Sequence, residues 1–242
     1  MRSPLMRHAA ALLGAALLAA GCAVPREATV PLRTVAIGQQ RAHDTLVVLL
    51  PGIRDLPEKF AQSGFGEPNG SRNFDMLAVD AHWGYYEDRS IVERLHDDVV
   101  EPARRSGYRR IWLVGVSLGG FGSLLYVDRF PDDVEGIVLL APYLGEPDLA
   151  DAIEQAGGLE AWSRMPLPKD PFALGWRSLQ NIAVRGRPRV IVGYGTSDPL
   201  AATYGPLLQT VPASKVHALG GAHRWSTWAP LWGAIEATGE IQ

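Results

Sequence analysis

The stretch VGVSLGGFG, residues 114–122, sets one serine, Ser117, among four glycines. A serine hydroxyl is a poor nucleophile unless a base takes its proton and a carboxylate orients that base. The G-x-S-x-G spacing is short enough to arise by chance, so the chemistry depends on what the rest of the chain can bring to Ser117. Six histidines are available as bases. His223, in GGAHRW, follows Gly220 and Gly221, which give its loop the freedom to bring an imidazole over a site. His82, in DAHWGYY, also follows a strand-like run and belongs to the same side of a sheet. His8 is in the leader, and His43, His96 and His217 lie before a strand, in a helix and in a strand, positions that favour structural duties. For the acid, Asp198 in GTSDPL leaves the run VIVGY, with Pro199 to fix the turn. Asp80 also ends a strand-like run, but ahead of the serine, and reads as a structural hydrogen-bonding residue.

These residues need elements to position them. Continuous apolar, β-rich runs predict buried strands at 45–50 (TLVVLL), 74–79 (FDMLAV), 111–116 (IWLVGV), 136–140 (GIVLL) and 190–194 (VIVGY), with a weaker one at 215–219 (KVHAL). Helical patterns fall between them. Ser90 and Glu93 spell a capping box, Ile91, Leu95 and Val99 follow at helical spacing, and Gly107 is placed to end that helix. A helix is predicted over 117–129, stopping before Pro131, and a last one over 225–237. The alternation argues for the α/β class, with a mostly parallel, doubly wound sheet and helices on both faces. Residues 144–185 break the rhythm, with Pro147, Pro166, Pro168, Pro171 and a short helical piece around 148–155. An insertion at the carboxyl end of strands lies where ligands bind, so a small cap is expected there; a long surface connection is the alternative.

In that frame Ser117 stands where a strand turns sharply into a helix. Small residues at Gly115 and Gly119 let strand and helix approach, while Gly120 and Gly122 serve helix packing. The hydroxyl would stand clear of the sheet, beside a helix N-terminus that favours a developing anion.

The order Ser117, Asp198, His223 on such a sheet resembles the α/β-hydrolase superfamily, from about Thr45 to the C-terminus. The resemblance implies an α/β-hydrolase fold and a serine hydrolase of carboxylesterase type. It would act on a small-molecule ester or thioester substrate without cofactor or metal. It implies Ser117 as nucleophile, His223 as base and Asp198 as orienting acid. The implied oxyanion hole uses the backbone N–H of Leu118 and that of Ile53, in LLPGIRD, where Pro51 replaces the histidine of the common HG motif. Acyl transfer and peptide hydrolysis are open to the same triad, and a non-catalytic envelope lipoprotein with this fold is the reading outside enzymology. Trp83, Tyr85, Tyr86, Trp162, Trp176 and Trp225 would suit an apolar acyl group or belong to the core.

The 242 residues, 47% hydrophobic and 20% charged, suit one domain with a sizeable core. A net charge of −3 and no Lys/Arg run longer than two argue against a nucleic-acid partner. GYGTSD begins like a dinucleotide fingerprint but lacks its third glycine. At the N-terminus, MRSPLMRHAAALLGAALLAAGC places Arg2 and Arg7 before an apolar stretch, 9–20, too short to span a membrane. Its end, LLAAGC, resembles the lipobox of bacterial lipoproteins, with Ala19 where leucine is most usual and Leu18 one place earlier. This resemblance implies a signal peptide over 1–21, a lipidated Cys22, a tether over 22–32 and a domain over 33–242. The product would be exported to the cell envelope and held at a membrane by an N-terminal lipid anchor. An ordinary signal peptide with a periplasmic or secreted product is the alternative. Cys22 is the single cysteine, so no internal disulfide forms, and a lone thiol at that place favours lipidation.

Overall fold

The structure, a computed structural model, describes residues 26–40, 43–67 and 72–242. The expected signal peptide and Cys22 lie outside the described residues. The apolar runs form β2 (Thr45–Leu50), β3 (Asp75–Val79), β4 (Arg110–Val116), β5 (Gly136–Leu140), β6 (Arg189–Gly195) and β7 (Val216–Leu219). With β1 (Thr34–Ile37) they make one sheet in the order β1-β3-β2-β4-β5-β6-β7. Neighbours pair in parallel from β3 to β7, and only the β1–β3 pair in the sheet is antiparallel. No apolar run announces β1, because Ile37 alone of its four residues is buried. Its register sets Thr34 opposite Val79, so the chain leading into β1 lies at the carboxyl end of β3.

Alternate residues of the inner strands supply two separate cores, as the period of two requires. Leu46, Val48 and Leu50 of β2 face one core with Ile111, Leu113, Ile137 and Leu139. Val47 and Leu49 face the other with Trp112, Val114, Val116, Val138 and Leu140. Burial on both faces is why these strands read as continuous apolar runs rather than alternating ones.

Among the described residues the helices are α1 (Glu58–Gln62), α2 (Trp83–Glu87), α3 (91–105), α4 (Leu118–Arg129), α5 (Pro147–Gln155), α6 (Leu159–Ser163), α7 (Ala173–Arg185), α8 (Gly205–Thr210) and α9 (Trp225–Glu236). The first core is covered by Leu95 and Val99 of α3, Leu124 and Val127 of α4, and Trp176 and Leu179 of α7. The second is covered by Phe60 of α1 and by Trp228, Leu231 and Trp232 of α9. Each such buried side chain contributes about 1.5–3 kcal/mol.

Two local expectations turned out differently. Ser90 makes no capping bond, because its backbone is already helical; its hydroxyl donates to Asp88 Oδ1 at 2.6 Å. Helix α3 does stop at Gly107, which has φ +104°, but His96–Val100 within it form a π-helical turn. Pro102 follows that turn and has no N–H to donate to the carbonyl four residues earlier.

Residues 144–185 hold three helices. Helix α7 lies along α4, where the Ser178 hydroxyl donates to the Leu124 carbonyl at 2.9 Å, and leads into β6 as the crossover of the β5–β6 pair. Helix α5 instead contacts α8 and the 3₁₀ turn Pro199–Thr203, which leaves the carboxyl end of β6. The part of the expected tether from Arg26 onward rests on the body, with Leu32 buried and its N–H donating to Asp98 Oδ2 at 2.8 Å.

Candidate active site

Strand β4 ends at Val116, and Ser117 follows with φ 52° and ψ −114°, a conformation that costs a residue with a side chain about 1–3 kcal/mol. Its own backbone bonds hold it there. The Ser117 N–H donates to Leu140 O at 2.9 Å, and its carbonyl accepts from Gly120 N–H and Tyr143 N–H, both at 3.0 Å. The flanking glycines leave no choice of side chain. A Cβ on Gly115 would stand 2.2 Å from Gly119 O, and one on Gly119 would stand 2.2 Å from Leu50 O. Strand and helix therefore touch through bare backbone, and the Ser117 side chain alone is left to point away from it.

The Ser117 hydroxyl meets His223 Nε2 at 3.0 Å. His223 comes from the loop between β7 and α9, and its ring packs edge-on against Trp228 with centroids 4.8 Å apart. Its Nδ1 is 2.7 Å from Asp198 Oδ2. A carboxylate can only accept, so Nδ1 carries the proton and Nε2 presents a lone pair to the serine hydroxyl. Asp198 caps the turn after β6, its Oδ1 accepting the Leu200 N–H at 2.9 Å, and its side chain is fully buried. Three connections that are far apart in sequence thus form one chain, carboxylate to imidazole to hydroxyl.

Leu118 occupies the first position of α4, where a backbone N–H has no partner within the helix. The loop after β2 runs beside the serine: a Cβ on Gly52 would lie 3.7 Å from Ser117 Cβ. Ile53, the next residue, belongs to the turn in which Asp55 N–H donates to Gly52 O at 3.1 Å. Leu118 is thus next to the serine in the chain, and Ile53 follows the glycine that lies beside it.

The other acid and histidine at this sheet edge are engaged elsewhere. Asp80 is buried, and its Oδ2 accepts from Arg26 and, at 3.2 Å, from Arg33 Nε. His82 caps α2, its Nδ1 accepting the Gly84 N–H at 3.2 Å. Burial first, and the nearby Arg26 charge second, hold the His82 ring below its ordinary pKa of 6.5 and keep it neutral. Among the aromatic residues weighed as substrate contacts, Trp162 and Trp176 are core, and Trp225 sits edge-on to Phe60 at 5.1 Å. Tyr86 has a duty the sequence does not announce. Its hydroxyl donates to the Leu118 carbonyl at 3.3 Å, and burial pushes its pKa up, so it keeps that proton. A tyrosine four residues after a histidine carries no pattern that points to a helix 32 residues away. Among the described residues no three His, Cys, Asp or Glu side chains gather as metal ligands.

Comparison with known proteins agrees with this architecture. Residues 62–175, which include Ser117 and stop before Asp198, match the family described as alpha/beta hydrolase fold. The chain is 25% identical to lysophospholipase L2 of Escherichia coli strain K12, over 76% of its own length and 60% of that protein's. It therefore spans less than two thirds of that curated relative. Among solved structures, the monoacylglycerol lipase of Paleococcus ferrophilus superposes with a TM-score of 0.56 at 17% identity, covering 86% of this chain and 98% of the lipase. The thioesterase domain from the curacin biosynthetic pathway gives a TM-score of 0.56 at 13% identity, covering 85% and 94%. The seven-stranded sheet, its two helical layers and these likenesses show that this chain has the alpha/beta hydrolase fold.

Proposed function

We propose that the protein is a serine hydrolase that cleaves carboxylic esters or thioesters through an acyl-enzyme intermediate. The single observation that carries this reading is the continuous hydrogen-bonded chain from Asp198 through His223 to Ser117, at 2.7 and 3.0 Å. In the first step Ser117 Oγ attacks the acyl carbonyl while His223 Nε2 takes its proton. Asp198 holds the tautomer and stabilises the imidazolium without itself being protonated. The backbone N–H groups of Leu118 and Ile53 receive the negative charge on the carbonyl oxygen. Each such donor is worth about 3–4 kcal/mol in the transition state. The imidazolium then returns its proton to the leaving alcohol or thiol as the acyl bond to it breaks. Water, deprotonated by the same imidazole, releases the acid and restores Ser117.

An open groove of about 520 Å³ runs beside α4 and holds Phe121, four residues beyond Ser117, with Tyr86, Leu125, Leu167 and Leu174. Its lining also carries Arg89, Glu93, Asp128, Arg129, Lys169 and Asp170, so an apolar acyl group would rest on its apolar wall alone. The names of the lysophospholipase and the monoacylglycerol lipase point to the same substrate class. The test is a fluorophosphonate probe on the purified protein: labelling is expected in the wild type and absent in Ser117→Ala. A wild type that stays unlabelled, or a variant that still labels, ends this reading.

We also propose that Cys22 carries a lipid that holds the protein at a membrane of the cell envelope. The reading is supported by the arginine-flanked apolar leader that ends in LLAAGC. Replacing Cys22 with Ser is expected to turn a protein that stays with the membrane through an alkaline carbonate wash into one that is washed off; a variant that resists the wash like the wild type removes the anchor.

A further inference from the structure

We infer that the rim of the site on its β1–β3–β2 side is the face with which the protein lies on a lipid bilayer. The inference rests on the proposed acyl-ester chemistry and on the proposed lipid at Cys22. Val30, Ile53, Leu56 and Trp83 are large apolar residues, between 43% and 75% exposed. They come from the chain leading into β1, the loop after β2 and the start of α2 after β3, which the strand order sets side by side at one edge of the sheet. Scattered exposed apolar residues need no explanation, but four on adjoining connections beside a candidate site mark an interaction surface.

The course of the chain says what covers that surface. Arg26 is tied to this same rim, its guanidinium paired with the buried Asp80 carboxylate at the end of β3. Its backbone lies against α2 so closely that a Cβ on Gly84 would stand 2.1 Å from Arg26 O. Three residues on, the Thr29 N–H donates to the Tyr85 hydroxyl at 3.1 Å. Cys22 precedes Arg26 by four residues. Whatever path those residues take, a lipid on Cys22 enters its membrane within about 14 Å of chain from Arg26. The bilayer is thereby brought to the rim that carries the four apolar side chains. The amino end of the strands, where Val184 is exposed near the end of α7 just before β6, is turned from it. Side chains of this kind seat in the boundary between headgroups and acyl chains, and they place Ser117 beside acyl esters that reside in the membrane. The substrate class of the site is then a membrane-borne acyl ester rather than one dissolved in water.

The experiment uses the full chain carrying Cys22→Ser, so that the covalent anchor does not mask the surface. Val30→Asp and Leu56→Asp are combined in one variant, and Val184→Asp marks the amino end of the strands. Rates are read on a long-chain 4-nitrophenyl ester held in phosphatidylcholine vesicles and on water-soluble 4-nitrophenyl acetate. The rim variant is expected to lose about tenfold on the vesicle-borne ester, the loss expected when two half-exposed apolar side chains no longer enter lipid, and to keep the acetate rate within about twofold. Val184→Asp is expected to change neither. The inference is overturned by an unchanged vesicle rate, by an equal loss in Val184→Asp, or by a parallel loss on the acetate, which would place the effect inside the site. If the parent chain turns over neither ester, the ester-hydrolase reading is what fails. Flotation with the same vesicles then decides the rim alone: binding that Val30→Asp/Leu56→Asp abolishes and Val184→Asp retains supports it, and equal flotation of the three proteins refutes it.

Discussion

At two places along the carboxyl edge of this sheet a buried aspartate stands with a histidine, Asp198 after β6 with His223 after β7 and Asp80 with His82 after β3, and only one pair reaches the serine. After β6, Asp198 gives Oδ1 to a backbone N–H and Oδ2 to His223, whose other nitrogen faces Ser117. After β3, Asp80 gives Oδ2 to two arginines, and His82 turns its Nδ1 to the first turn of α2. The residue types and the sheet edge are the same in both places. What differs is the partner of each lone pair. A carboxylate bound to guanidinium groups fastens one segment to another, whereas a carboxylate bound to an imidazole sets which imidazole nitrogen is free to act as a base.

The sharpest way to break this contrast is to truncate each histidine in turn. His223→Ala is expected to lower kcat on a soluble ester by on the order of 10⁶, as loss of a triad base does, while His82→Ala changes it by less than about tenfold. Comparable losses from the two would dissolve the distinction. Next in size is the acid. Asp198→Asn should cost on the order of 10⁴ in kcat, because an amide can present its N–H to Nδ1 and strand the proton on Nε2. Asp80→Asn should leave kcat nearly unchanged and lower the unfolding free energy by about 1–2 kcal/mol, since Arg33 and the half-exposed Arg26 lose their shared carboxylate. Steady-state kinetics and urea melts on the two asparagine variants read both numbers.

A third comparison uses pH. The folded pKa of His82 lies below its ordinary 6.5, so between those values the unfolded chain binds more protons than the native one. Its share of stability is therefore complete above pH 6.5 and is lost as pH falls below that value toward the folded pKa. His82→Asn keeps an acceptor for the Gly84 N–H but cannot titrate. Its urea midpoint should fall less than that of the wild type between pH 7.5 and pH 5; equal falls would show that His82 is not the group responsible. The smallest effect is expected at Tyr86→Phe, which leaves the Leu118 carbonyl without its 3.3 Å partner. About 1 kcal/mol of stability should be lost, read by thermal melting, with Ser117 still labelled by a fluorophosphonate.

Legibility follows burial. Strands covered on both faces by helices leave runs such as TLVVLL and GIVLL, and β2 and β5 occupy just those residues. The edge strand β1 is buried only at Ile37 and leaves no such run. The capping box at Ser90 is a true pattern that the backbone does not use, because the left-handed turn at Arg89 has already delivered Ser90 in a helical conformation. Ser117, Asp198 and His223 could be named from their order and from the strand ends they follow. Tyr86 could be named as an aromatic near the site, but its bond to the Leu118 carbonyl could not, since nothing local in HWGYYE points to α4.

By itself, then, the sequence determined the alternation of strands and helices, the strand-to-helix turn at Ser117 and the residue types able to complete a proton relay. These are local properties, set by side-chain volume, periodicity and the glycines that let backbone touch backbone. Which aspartate meets which histidine is not local. It was decided by a strand order that brings the ends of β4, β6 and β7 to one edge, and by Arg26 and Arg33 occupying the carboxylate that stands at the end of β3. A hydrogen bond acts over about 3 Å, and only a folded chain brings residues 25 and 106 positions apart to that distance.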